Sequence, residues 1–145
     1  MTQQRETRRQ NIEQERGRIA WRNITDIKQK DKALQKDYRS LTRGLNAMIQ
    51  INGLGQTLGF FKAKGKGDAN KAHFLLLQHL TEWMRDPDHF SAANIGVMND
   101  GHDGLLKWVV DSTTSSADYR RATAECLAFG NWLSRFAEAE LEGEE

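Results

Sequence analysis

The 145-residue sequence has a single cysteine and a single proline. Cys126 by itself cannot form a disulfide framework or a cysteine-built metal centre, and its isolation suits a reducing cytoplasm. With only Pro87, few β-branched runs and no alternating strand of any length, the chain reads as all-α. No apolar run approaches the roughly 18 residues that span a bilayer, so no membrane partner is expected. The polar N-terminus has no apolar signal region behind it. Metal ligands are also sparse. The four histidines, His73, His79, His89 and His102, contain no i, i+4 pair and no HExxH motif, and read as surface or packing residues. Neither a metal nor a cofactor is expected. The length fits one domain, residues 1–145, large enough to remove roughly 68–70% of the unfolded surface from water.

Charge is scarce only in total. The formal net charge of +1 averages two unlike halves: residues 1–66 carry 15 Lys/Arg and 6 Asp/Glu, and residues 67–145 carry 6 and 14. Three uses of this split are open. The basic half can line a nucleic-acid backbone, where affinity comes from neutralised phosphates. The basic half of one copy can meet the acidic half of the next, a contact that builds open stacks. Or the halves fold against each other and the charges compensate.

Helical periodicity organises the chain into a bundle of about six helices. Ile12, Ile19, Ala20, Ile24 and Ile27 mark one stripe of a helix from Arg5 to about Gln29. Leu34, Tyr38 and Leu41 continue the pattern after a break near Asp31. An apolar segment from Leu45 to Phe61 is interrupted at Asn52-Gly53 and reads as two short helices or one kinked helix. The run Lys62-Ala-Lys-Gly-Lys-Gly-Asp reads as a basic glycine loop, with 66–70 as the connection and Asp68 as the N-cap of the next helix. Ala72 to Arg85 is a buried central helix ended by Pro87. Residues 87–104 read as irregular, followed by a short helix from Leu105 to Val110. Ser115 and Asp118 resemble a capping box opening a last helix that runs to about Leu141. The acidic tail, 142–145, is expected to fray.

Catalytic patterns are weak. Cys126 lies in the apolar stripe of the last helix and reads as a small core residue. The glycines of Gly53-Leu-Gly-Gln-Thr-Leu-Gly59 follow no strand, as a dinucleotide fingerprint requires, and suit close packing or a kink. Gly65-Lys-Gly lacks the strand, spacing and Ser/Thr of a P-loop. The carboxylate pairs Asp86/Asp88 and Asp100/Asp103 sit in turns, where Asp is common. The chain is expected not to be an enzyme.

Basic faces are the better signal. At 100° per residue, Arg18, Arg22, Lys28 and Lys32 gather opposite the isoleucine stripe, with Trp21 among them. Cations around an exposed aromatic suit a phosphate backbone with a base stacked alongside. The alternative is a solvated basic face with Trp21 docked on a neighbouring helix or subunit. Arg5, Arg9 and Arg16 fall on the side of Ile12 and Ile19, so the first turns are expected to project rather than pack on a dry core. Lys62, Lys64 and Lys66 form a second candidate for RNA contact, or an ordinary mobile loop.

Three segments together resemble a known family. They are Asn11-Ile-Glu-Gln-Glu-Arg-Gly-Arg-Ile-Ala, the block Met48-Ile-Gln-Ile-Asn-Gly-Leu-Gly-Gln-Thr-Leu-Gly-Phe-Phe-Lys-Ala-Lys, and the helix from Tyr119-Arg-Arg to Trp132-Leu-Ser-Arg-Phe-Ala. In that order they resemble the α-helical small subunit of type III-B CRISPR effector complexes, the Cmr complexes; the stretch 86–115 is weaker. The resemblance implies a non-catalytic subunit of antiviral defence. Its copies would stack head to tail along the guide RNA–target RNA duplex, beside the backbone subunits and against the large polymerase-like subunit. It implies RNA contact at Arg16, Arg18, Arg22, Lys62 and Lys64, and no catalytic residue. Asn46 replaces an expected helix-starting proline, and Gly130 an expected larger apolar residue. A helical interaction adaptor without RNA contact, and a small subunit of another CRISPR effector type, remain the alternatives.

Overall fold

Asp31 starts the second helix. A computed structural model describes residues 2–143, with side chains from Asn11 onward. Helix α1 (Thr2–Lys28) stops three residues before α2 (Lys32–Asn52), and Asp31 Oδ1 accepts the Leu34 N–H at 2.9 Å as the α2 N-cap. Such a cap stabilises a helix by about 1 kcal/mol. Buried Gln35 completes the turn: its amide donates to the Lys28 and Lys30 carbonyls at 3.1 and 2.9 Å, satisfying acceptors that α1 leaves open.

The interruption at Asn52-Gly53 resolves into two helices, because Gly53 takes φ +87°, a region that favours glycine. Helix α3 (Leu54–Gly65) follows directly. It extends into the run expected as a loop, so Lys62 and Lys64 lie on its last turn and only residues 66–71 connect it to α4 (Ala72–Arg85). Gly65 is there for close approach: a Cβ would fall 3.0 Å from the Phe74 backbone nitrogen. Asp68 does not cap α4. It accepts the Asn70 N–H at 2.9 Å within a turn, and the N-cap position belongs to Lys71.

The stretch 87–104 holds a 3-10 helix (Ile95–Asn99) before α5 (Gly104–Val109) and α6 (Ser116–Glu140). Ser115 accepts the Asp118 N–H at 3.1 Å, but Asp118 turns its carboxylate to Arg121 at 2.8 Å, leaving half a capping box. Leu141, just before the tail, is buried, and at the tail's start the Glu142 N–H donates to Gln35 Oε1 at 3.1 Å; residues 144 and 145 lie outside the described residues.

The chain is thus an all-α bundle of six α-helices, with no strand among the described residues. Helices α1 and α2 both pack against α6, while α4 packs against α2, α3, α5 and α6 at the centre. Trp83, Trp108, Tyr38, Phe61 and Phe129 are its largest fully buried side chains. Cys126 is a fully buried core residue, as its place in the stripe predicts.

Asn46 and Gly130, the two departures from the family pattern, touch each other. Asn46 begins no helix; it lies inside α2 and donates across to Leu127 O at 3.1 Å and Asn131 Oδ1 at 2.7 Å on α6. A Cβ on Gly130 would stand 2.5 Å from Asn46 Oδ1 and 3.0 Å from Leu45 Cδ2. The small residue therefore makes room for the polar one. Gly130→Ala is expected to destabilise the fold by about 1 kcal/mol, overpacking outweighing the helix-propensity gain. In an Asn46→Ala background the same change should become stabilising. Urea denaturation of the four-member cycle measures the coupling, and additive effects would contradict the contact.

Candidate nucleic-acid interface

A cation attracts a phosphate according to how much of its charge is left uncompensated, so each basic residue is best judged by its neighbours. Arg16 is compensated most completely. Its side chain is 15% exposed, Nε and Nη2 donate to Glu125 at 2.7 and 2.8 Å, and Nη1 donates to Glu13 at 2.6 Å. The hydrogen bonds it donates to Glu125 push its guanidinium pKa above the ordinary arginine value. The expectation that this face of α1 projects is therefore corrected at Arg16: α6 presents a carboxylate to it, so a basic residue sits where the stripe turns inward. The side chains of Arg5 and Arg9 lie outside the described residues.

Arg18 is 62% exposed but donates to Glu15 at 2.6 and 3.1 Å, which holds the Glu15 carboxyl below its usual range. Arg22 is exposed and makes no ion pair among the described residues. Trp21 is 47% exposed and meets the Phe136 ring edge-on, with centroids 5.1 Å apart. One side of the indole is thus docked on α6 and the other faces solvent beside the arginines. Lys28 reaches Glu140 at 3.1 Å, and Lys32 is exposed at the start of α2.

The second cluster is less open than its sequence suggests. Lys62 donates to buried Asp103 at 2.5 Å, and Lys107 approaches the same carboxylate at 3.3 Å. Burial alone raises the Asp103 pKa, but the two ammonium groups outweigh it and hold the group below the ordinary value. Lys64 lies 5.9 Å from the Phe60 ring centroid, and Lys66 caps α3 in the left-handed conformation, φ 51°. Arg16–Glu125, Lys28–Glu140 and Lys62–Asp103 all pair the basic half of the chain with the acidic half. The two halves therefore compensate in part by folding together.

Periodicity overlooks three residues on α2 that line up with Lys32. Lys32, Lys36, Arg39 and Arg43 recur at i, i+4, i+7 and i+11, which places them on one helical line. That spacing is visible in the sequence; Lys32, Lys36 and Arg43 are exposed and Arg39 is half-buried. No group of three or more His, Cys, Asp or Glu among the described residues could hold a metal ion. No helix of the described residues is long and apolar enough to cross a membrane.

The family model for CRISPR-associated protein (Cas_Cmr5) matches residues 12–140. The chain belongs to the Cas_Cmr5 family. A relative from Thermotoga maritima named CRISPR system Cmr subunit Cmr5 is 29% identical over 124 residues, covering 85% of this chain and 80% of that protein. The Cas_Cmr5 match spans α1 from Ile12, the Asn52-Gly53 elbow and α6 through Glu140. These elements carry the three segments that resemble the type III-B small subunit.

Proposed function

We propose that the chain is the non-catalytic small subunit of a type III-B, Cmr, RNA-guided effector complex of antiviral defence. In this reading it binds the backbone of guide and target RNA, and copies stack head to tail along the duplex. Its protein partners are further copies, the backbone subunits and the large polymerase-like subunit. The family match over residues 12–140 carries the assignment. For RNA contact the support is the exposed face of α1, where Arg22 is uncompensated and half-exposed Trp21 offers a ring face for stacking. Arg18 contributes by exchanging Glu15 for a phosphate, which reduces its net gain. At the end of α3, Lys64 and Lys66 are further exposed cations, while Lys62 has first to leave Asp103.

Arg18→Ala/Arg22→Ala in the assembled complex is expected to weaken RNA binding about five- to tenfold. The slope of log K against log salt should flatten by about 1.4, two phosphate contacts on a single strand. Arg22→Ala alone should account for most of the loss. Unchanged affinity and slope would favour the adaptor without RNA contact, a reading consistent with the carboxylates already held by Arg18, Lys28 and Lys62.

A further inference from the structure

We infer that the crook of the α2–α3 elbow is a docking groove for an amphipathic helix of another protein subunit, one whose apolar strip is bordered by Asp or Glu. This rests on the reading of the chain as a subunit of a larger complex and names a face for one of its protein contacts. Residues 44–61 contain no charged side chain, in a sequence that is 28% charged. Much of that segment nevertheless reaches the surface: Gly44, Ala47, Ile51, Gln56 and Phe60 are exposed, Ile51 at 80% and Phe60 at 38%. Met48, Asn52, Gln56, Thr57 and Phe60 line a groove of about 360 Å³ between the two helices. Interface cores are depleted of charge and enriched in Met and aromatic residues, and the groove has that composition. A phosphate would find no cation inside it.

The shape suits a helix. Gly44, Met48 and Ile51 recur at i, i+4 and i+7 on α2, and Gln56, Phe60 and Ala63 do the same on α3. Each row spans about 10 Å, which matches two turns of a third helix laid along it. Two glycines point the same way. Gly44 and Gly59 lie inside helices, have open space where a Cβ would stand, and do not take positive φ. Glycine is the poorest helix former after proline, and nothing within the fold requires it at either position. Close approach of a second backbone does.

Charge defines the chemistry of that helix. No Asp or Glu lies between Tyr38 and Gly67. Exposed Arg43 stands beside Gly44, Lys64 lies 5.9 Å from the Phe60 ring centroid, and neither makes an ion pair among the described residues. Cations at both ends of an uncharged groove favour a partner with carboxylates at its border. A second copy of this chain offers no such face. Its other large exposed apolar side chains among the described residues are Trp21, beside Arg18 and Arg22, and Val110, just past α5. Neither belongs to an acid-bordered helical strip.

The test places the photo-crosslinker p-benzoylphenylalanine at position 56 of the full chain, assembles the effector complex with its guide RNA, and identifies the cross-linked peptide by mass spectrometry. The expected product is a helical segment of another protein subunit with apolar residues at i, i+3 or i+4, and i+7, and Asp or Glu beside them. In parallel, the fluorescently labelled full chain is titrated onto the complex lacking it. Ile51→Glu should weaken docking at least about tenfold, through lost apolar contact and like-charge repulsion. Ile51→Lys keeps the attraction and should weaken it about threefold. Gly44→Leu should raise the melting temperature of the free chain by about 3 °C. It should still weaken docking at least about fivefold, because the side chain fills the space left for the partner backbone. Both positions are exposed, and thermal denaturation checks that each variant stays folded. A cross-link to RNA or to a second copy of this chain overturns the inference. Parent-like docking of both Ile51→Glu and Gly44→Leu also overturns it, and leaves the subunit reading standing. Equal losses in Ile51→Glu and Ile51→Lys overturn the acidic border. If the parent chain does not enter the complex, the subunit reading falls and the groove with it.

Discussion

Glu125→Ala is expected to destabilise the fold by about 3 kcal/mol, the range for removing one partner from a largely buried ion pair. The Glu125 side chain is 11% exposed and receives three donors: Arg16 Nε at 2.7 Å, Arg16 Nη2 at 2.8 Å and Trp83 Nε1 at 3.1 Å. Truncation leaves the indole N–H and two guanidinium donors without an acceptor in a place where little water can reach them. Glu13 continues to hold Nη1, which keeps the loss below the upper end for such pairs. Glu125→Gln retains an acceptor but not the charge, so it should cost about half as much. Trp83 also stacks between His89 and Phe129, with centroids at 3.7 and 4.6 Å. The mutation therefore loosens the junction of α1, α4 and α6 together. Urea denaturation gives the value directly. A loss under about 1 kcal/mol would mean that the pair is solvated and behaves as a surface contact.

That ion pair shows where reading the sequence stops. Helix existence was legible because apolar spacing and capping chemistry are local. Ala72–Arg85 is bounded as its pattern predicts, Asp31 and Ser115 cap as their types suggest, and the isoleucines of α1 face inward. Charge compensation is not local. Arg16 and Glu125 lie 109 positions apart, and Lys28 and Glu140 lie 112 apart. No periodicity marks Arg16 as a core ligand, and its angular position beside Ile12 and Ile19 argued for a projecting turn only while α6 was unplaced. The glycines of the 62–68 run misled for a related reason: Gly65 serves contact with α4, a neighbour in space. The candidate site inherits both limits. Trp21 and Arg22 were legible as an exposed aromatic and cation on one face.

Acidification should remove about 3 kcal/mol of stability through one buried pair, beginning above the range in which the carboxylates titrate. His79 is 6% exposed and its Nδ1 lies 2.6 Å from the hydroxyl of fully buried Tyr38. Burial pulls the histidine pKa down to about 4 and pushes the tyrosine pKa up. The folded protein therefore keeps the ring neutral while the unfolded chain, with an ordinary histidine value near 6.5, takes up a proton first. Between about pH 6.5 and 4 the unfolded state binds more protons, so stability falls as pH falls. The contribution is complete above that window and exhausted below it. Each tenfold difference in proton affinity between the folded and unfolded chain corresponds to about 1.4 kcal/mol, which brings the total to about 3 kcal/mol. Desolvation lowers His73 and His102 as well, in the same sense and with more access to water. Asp103, held down by Lys62 and Lys107 against its own burial, loses its contribution only as pH falls below the ordinary carboxylate value. His79→Leu isolates the histidine's part. It leaves the Tyr38 hydroxyl unpaired, a cost independent of pH in this range, and removes the titration. Unfolding free energies of parent and variant from urea denaturation at about pH 7.5 and 4.5 should converge on acidification by most of the His79 contribution. Curves that stay parallel would mean that the buried ring is already protonated or hydrated in the folded state.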